Sequence, residues 1–230
     1  NMVSNFAGVP LAFSYMILLG NAGFMSLGAY TSATLTVQYN VLMPLGILAG
    51  GVVAMIAGLV IGIPTTRLRG LYLAIATLGF GEVVRVIALN LDITHGALGF
   101  SGIPSMANSL SDIASGIGLT DALSMDSETM GSLLMCIVLL VLTAVIVWFW
   151  FSLEHSRIGR AFNAIKADEY AASLSGIYVV YYKMMAFLFS SFFAGVAGAL
   201  YAHATFFISP TDFTWHKVVD ALLYTVLNMI

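Results

Sequence analysis

SRIGRAFNAIKADEYAASLSG, residues 156–176, is the one charge-dense stretch in a sequence that is otherwise mostly apolar. It holds Arg157, Arg160, Lys166, Asp168 and Glu169, five of the nineteen Asp, Glu, Lys and Arg residues among 230. The runs on either side, 131–153 and 184–208, are apolar, and each is long enough to cross a bilayer, which takes about 20 residues of helix. A polar island tied at both ends to membrane helices predicts the fold class: an all-α, polytopic transmembrane helical bundle.

Composition points the same way. The chain is 60% hydrophobic and 8% charged, with mean hydropathy +0.98. Soluble domains run at about 25% charged and about 45–50% apolar. A transmembrane barrel would read as alternating segments of about 10 residues, and the sequence has none. Cys136, the single cysteine, sits in an apolar run and can form neither an intrachain disulfide nor a metal cluster. The chain opens on Asn1 without a basic leader and stops at Ile230 inside an apolar run, so a fragment lacking both ends is expected.

Residues 1–40 carry no charged side chain. Pro10 and the cluster Gly20, Asn21, Ala22 and Gly23 predict a crossing plus a broken or re-entrant segment rather than one straight helix. A spanning helix follows at 45–64, where Gly46, Gly50, Ala54, Gly58 and Gly62 recur every four residues. That small-residue stripe predicts close packing against a neighbouring backbone. Arg67 and Arg69 anchor its end. The run 71–91 also spans, and it carries Glu82 and Arg85 well inside. Ionisable groups at such depth face the bundle interior or a wet cavity, and their i,i+3 spacing lets them pair. A self-neutralising structural pair and a gating or pathway role both remain open, the break at Gly79, Phe80 and Gly81 favouring the second. In 184–208 two further small stripes appear, Ser191, Gly195, Ala199 and Ala194, Gly198, Ala202.

The basic residues set the orientation. Six of the eight Lys and Arg fall within 65–70 or 154–183, and none falls within 92–130. The positive-inside rule puts the first two segments in the cytoplasm and the third outside. One span separates 70 from 92 and another separates 130 from 154, so the parity agrees. The charged loop, about 154–183, is then cytoplasmic and the loop at about 92–130 extracytoplasmic.

Catalytic chemistry finds no support. There is no GxxxxGK[ST] phosphate loop, so the chain does not bind ATP in that manner. His95, His155, His203 and His216 are scattered without ligand spacing, which predicts no metal site; His203, alone in a span, reads as a satisfied packing residue. Within the island, Ile158, Phe162, Ile165 and Ala172 recur at helical spacing, with Ala161, Ala164 and Ala171 beside them. The pattern predicts one amphipathic helix over 158–174, stopped by Gly176. Ala171 and Ala172 would make a face thin enough to enter a cleft, and Asp168 and Glu169 could meet basic groups of a partner.

The order Glu169, any residue, Ala171, Ala172, three more, Gly176 resembles the coupling-loop motif of ABC importer permeases. The fuller string SRIGRAFNAIKADEYAASLSGI with YKMMAFLFSSFFAGVAGALYA resembles the branched-chain amino acid permease family, M-type subunit. NAGFMSLGAYTSA, RLRGLYLAIATLGFGEVVR, GALGFSGIP and the opening NMVSNFAG resemble further blocks of that family in the same order. The chain departs from the pattern at Val9, Pro10, Leu11, Ala12 and Phe13 and at Ala97 or Leu98, which bears on the solute more than on the transport class.

The resemblance implies a single permease domain over 1–230, multi-pass in the prokaryotic plasma (inner) membrane. It implies no enzyme activity and no bound cofactor, with ATP used by partner subunits. The implied partners are a second permease, cytoplasmic ATP-binding-cassette subunits, an extracytoplasmic solute-binding protein and membrane lipid, with no nucleic acid. Its cargo would be branched-chain amino acids; urea, short amides or another small solute are the alternative, and a stand-alone secondary transporter or channel the more distant one. The coupling residues it implies are Arg157, Gly159, Arg160, Ala164, Ile165, Asp168, Glu169, Ala171, Ala172 and Gly176. The pathway candidates are Thr77, Gly79, Gly81, Glu82 and Arg85.

Overall fold

A computed structural model of the chain describes residues 11–65, 71–91, 96–105 and 127–213. Within them run α1 (Leu11–Gln38), α2 (Met43–Thr65), α3 (Leu71–Asn90), α4 (Ser127–His155), α5 (Arg157–Ala167), α6 (Glu169–Leu174) and α7 (Val179–Thr205). A two-residue strand β1 (Phe100–Ser101) pairs antiparallel with β2 (Phe207–Ile208), Phe100 opposite Ile208. Among the described residues, three stretches are long and apolar enough to cross a membrane by length and composition: Met43–Pro64, Gly131–His155 and Val179–Thr205. Arg67, Arg69, most of the loop 92–130 and the segment after Phe213 lie outside the described residues.

Two expected breaks are absent. Helix α1 runs unbroken for 28 residues through Gly20 to Gly23, about 42 Å at 1.5 Å per residue, so it needs no re-entrant turn. Helix α3 is likewise continuous through Gly79, Phe80 and Gly81. The glycines serve packing instead. A Cβ on Gly23 would press on the Gly81 backbone, which is where α1 and α3 cross. Helix backbone hydrogen bonds survive an isolated Gly at a cost of only about 1 kcal/mol, and contact between helices offsets it.

Helix α7 is the centre of the bundle and packs along both α1 and α2. The stripe on α2 reads down this seam: Gly62 lies against Met184, Gly58 against Ser191, Ala54 against Gly195, Gly50 against Gly28 and Gly46 against Ser32 and Thr36. At the middle, Gly28, Gly50 and Gly195 meet backbone to backbone, and a Cβ on Gly28 or Gly195 would enter another helix's main chain. Small residues allow this approach, and van der Waals contact between backbones is what holds helices together in lipid. Both predicted stripes of α7 are buried, Ala199 and Ala202 fully.

Phe24, Phe80 and Phe187 fill the space beside this seam, with ring centroids 5.2 and 5.5 Å apart. At the Thr205 end of α7, Tyr30, Ala88, Phe100, Ile103, Ile208 and Phe213 form a second cluster that seats the β1–β2 pair. Helix α4 stands apart. From Ser132 to Ser152 none of its residues is buried, and it reaches α7 through Phe149, 5.7 Å from Phe189 and 5.4 Å from Phe193. Trp148 and Trp150 are exposed near its end, at the depth of an interfacial aromatic belt.

Candidate functional site

The polar island folds as two short helices on one-residue joints. Ser156 ends α4 and starts α5: its hydroxyl donates to the Leu153 carbonyl at 2.6 Å and accepts from the Ile158 and Gly159 amides. Gly159 is buried in that first turn, where a Cβ would strike the Leu153 and Glu154 carbonyls. The single amphipathic helix expected over 158–174 is interrupted at Asp168. Its backbone is extended (φ −160°, ψ 117°), its amide closes the end of α5 on the Ala164 carbonyl, and its carboxylate accepts from the Tyr170 and Ala171 amides at 2.7 and 3.1 Å. An aspartate that caps a new helix outcompetes continuation of the old one. Gly176 then stops α6 at φ +84°. The Ile177 amide bonds the Ala172 carbonyl and the Gly176 amide that of Ser173, the two bonds of a Schellman stop.

Two contacts tie this unit to the base of α7. Lys183 donates to the Glu169 carboxylate at 2.7 Å, with the lysine side chain 10% exposed. Phe162 meets Tyr182 edge to face, centroids 6.1 Å apart. Ala161 and Ala172 are buried on the inner side, whereas Arg157, Arg160, Ala171, Tyr170 and Leu174 are exposed on the outer side; Ala164 and Ile165 are half-buried. The predicted alanine face is therefore split: Ala171 points out, and Ala172 packs on the chain's own helices. Asp168 and Glu169, expected to meet a partner's basic groups, are engaged as a helix cap and as the partner of Lys183. Neither Arg157 nor Arg160 pairs with a carboxylate among the described residues.

The α3 candidates do not converge. Thr77 is buried and Gly81 lies at the α1 crossing, while Gly79, Glu82 and Arg85 are on the outer side. Arg85 Nε reaches both Glu82 oxygens at 3.0 Å, and Nη2 also contacts Oε1. Each group satisfies the other, and removing one leaves a charge stranded. Glu82→Gln combined with Arg85→Met is expected to retain more folded protein in the membrane than either single change, as measured by the monodisperse fraction extracted in mild detergent.

A polar node lies at the opposite end of α7 from the island. His203, fully buried, has Nε2 3.0 Å from Ser32 Oγ and Nδ1 3.1 Å from the Pro104 carbonyl. Nδ1–H donates to that carbonyl and Nε2 accepts from the hydroxyl, so the ring is satisfied as expected of a packing histidine. Sequence reading did not find its partners. Glu169 and Lys183, Asp168 and its double cap, and the Ser32–His203 pair are joined only by the fold, although a Ser before 157 and an Asp before 169 are recognisable helix starts.

The family model described as "Branched-chain amino acid transport system / permease component" matches residues 2–230. The high-affinity branched-chain amino acid transport system permease proteins LivM of Salmonella typhimurium and of Escherichia coli are each 34% identical over 228 residues, covering 96% of this chain and 54% of theirs. The chain thus spans about half the length of these relatives. No solved structure matches it significantly. With its apolar helices and a family match from end to end, this membrane protein belongs to the branched-chain amino acid transport system permease family.

Proposed function

We propose that the chain is a single permease domain of a prokaryotic ABC importer, working in the plasma membrane on branched-chain amino acids. The observation that carries this reading is the family match over residues 2–230, in which the one charge-dense segment is docked on the base of the central helix. Separate cytoplasmic ATPases bind and hydrolyse ATP. A second permease completes the membrane part, and an external binding protein delivers the solute.

Residues 157–176 receive the push of the ATPases. The outer face of α5 and α6 offers Arg157, Arg160 and Ala171, while Gly159, Ala172, Asp168 and Gly176 shape the unit and Glu169 fastens it to α7. Because α7 packs along α1 and α2, displacement at its base moves the bundle as a body, the kind of switch that alternating access uses. The pathway runs along α3, with Glu82 and Arg85 on its outer side, Gly79 beside them, Thr77 buried and Gly81 at the α1–α3 crossing.

Reconstitution of the complete transporter in proteoliposomes tests this. Uptake of leucine, isoleucine and valine is expected to require enclosed ATP and the binding protein together. Uptake driven by an ion gradient without ATP would overturn the importer assignment, and uptake confined to urea or short amides would overturn the cargo.

A further inference from the structure

The ring of His203 joins three separate parts of the chain. It belongs to α7, its Nε2 accepts from the Ser32 hydroxyl on α1 at 3.0 Å, and its Nδ1–H donates to the Pro104 carbonyl at 3.1 Å. His203 and Ser32 are fully buried. Packing between α1 and α7 needs no imidazole, since Ala199 and Ala202 on the same helix are fully buried with no polar side-chain atom. A ring with one nitrogen on each neighbour does more. By donating to Nε2, Ser32 leaves the proton on Nδ1, and that proton ties residue 104 to the helix pair.

Pro104 belongs to a short clasp, residues 96–105, which two further contacts close onto the same end of α7. Strand β1 pairs with β2, and β2 follows α7 after a single residue, Phe206, whose left-handed backbone (φ 60°) turns the chain. The turn before β1 lies so close to β2 that a Cβ on Gly99 would meet the Phe207 ring and the Ile208 carbonyl. Phe100 and Ile103 are buried in one cluster with Ala202 and Ile208. Strand pairing, apolar packing and the His203 hydrogen bond thus hold the clasp on α7 and its continuation. By the charge rule this end faces outward.

The other end of α7 carries the coupling segment. Lys183 holds Glu169 there at 2.7 Å, and about 30 Å of uninterrupted helix separates Lys183 from His203. Rigid elements and hydrogen-bonded contacts are what carry coupling over such distances. Helix α7 is one such element, with a fastening at each end.

We infer that His203 is a positioning residue for transport: through its bond to Pro104 it makes the clasp move as part of α7. A loaded binding protein outside and the ATPases inside then sense each other through one body. The inference rests on the importer reading above and assigns that reading a point of transmission at the outer face.

The test measures ATP hydrolysis by the complete transporter in lipid nanodiscs, with and without leucine-loaded binding protein. Asparagine can place an N–H at the position of Nδ1, and glutamine a polar atom at that of Nε2. His203→Asn is expected to keep the stimulation by binding protein within twofold of the unmutated value. His203→Gln is expected to lower it at least fivefold, with basal hydrolysis within twofold. A merely structural histidine would make the two variants alike, so equal stimulation in them, or a greater loss in His203→Asn, would overturn the inference. A second measurement keeps His203 in place. Ser101→Cys and Phe207→Cys, in a Cys136→Ser background, stand opposite each other in the β1–β2 pair, at a separation that a disulfide bridges. Oxidation is expected to leave stimulation within twofold, because clasp and α7 move together. Loss on oxidation, regained with reductant, would overturn the inference whatever the His203 variants do. An unmutated complex whose ATP hydrolysis ignores the loaded binding protein overturns the importer reading instead, before any variant is compared.

Discussion

Glu169→Lys is expected to reduce ATP-driven uptake to background while leaving the protein in the membrane. The Glu169 carboxylate is 2.7 Å from the Lys183 ammonium, and that lysine side chain is only 10% exposed. Charge reversal sets two ammonium groups against each other where water screens them poorly, and it puts a cation in the first turn of α6, where the helix dipole favours an anion. The segment then loses its polar fastening to α7, with only the Phe162–Tyr182 contact and neighbouring packing left. Adding Lys183→Glu restores an ion pair at the same place, and the double variant is expected to recover at least about half of the uptake. Uptake per unit of membrane-inserted protein is the measurement. Normal uptake in the single variant would remove Glu169 from coupling, and a double variant no better than the single would move its contact from Lys183 to the ATPase.

Gly195→Leu is expected to cost the bundle much of its stability. Overpacking a core with side chains costs about 1–3 kcal/mol because neighbours shift. At Gly195 the added carbon meets the Ala54 side chain and the main chain of Gly50 and Gly51, which shift only if α2 leaves α7. For a chain of this size each kcal/mol moves the melting point about 2–4 °C, so a drop of several degrees, up to about 12 °C, is expected in detergent. Gly79→Ala is the control. Nothing lies within 4 Å of a Cβ there, and alanine is the better helix former by about 1 kcal/mol, so its melting point should be unchanged or higher. Equal losses in the two variants would mean that the α2–α7 seam is not what holds the bundle.

What was legible in the sequence was whatever periodicity or composition encodes within one helix. The stripe from Gly46 to Gly62 announced a close seam, the apolar runs announced spans, and Gly176 announced a stop. The clusters Gly20 to Gly23 and Gly79 to Gly81 read as breaks yet lie in continuous helix, because a glycine that thins a crossing and a glycine that interrupts a helix look alike until the partner is known. Asp168 was undervalued for a related reason. Read as a charge, it belonged to a surface for a partner; in the fold its carboxylate is spent on two amides. The pathway candidates on α3 are neighbours along the chain, but helical rotation sends Thr77 inward and Glu82 outward.

The Glu82–Arg85 pair has an electrical consequence. Both side chains are on α3, and they are fixed to each other on one helix turn. Carrying one elementary charge through 100 mV is worth about 2.3 kcal/mol, but a cation and an anion that travel together sum to zero. Displacement of α3 as a body therefore moves no net charge from this pair through a membrane field, whatever the voltage.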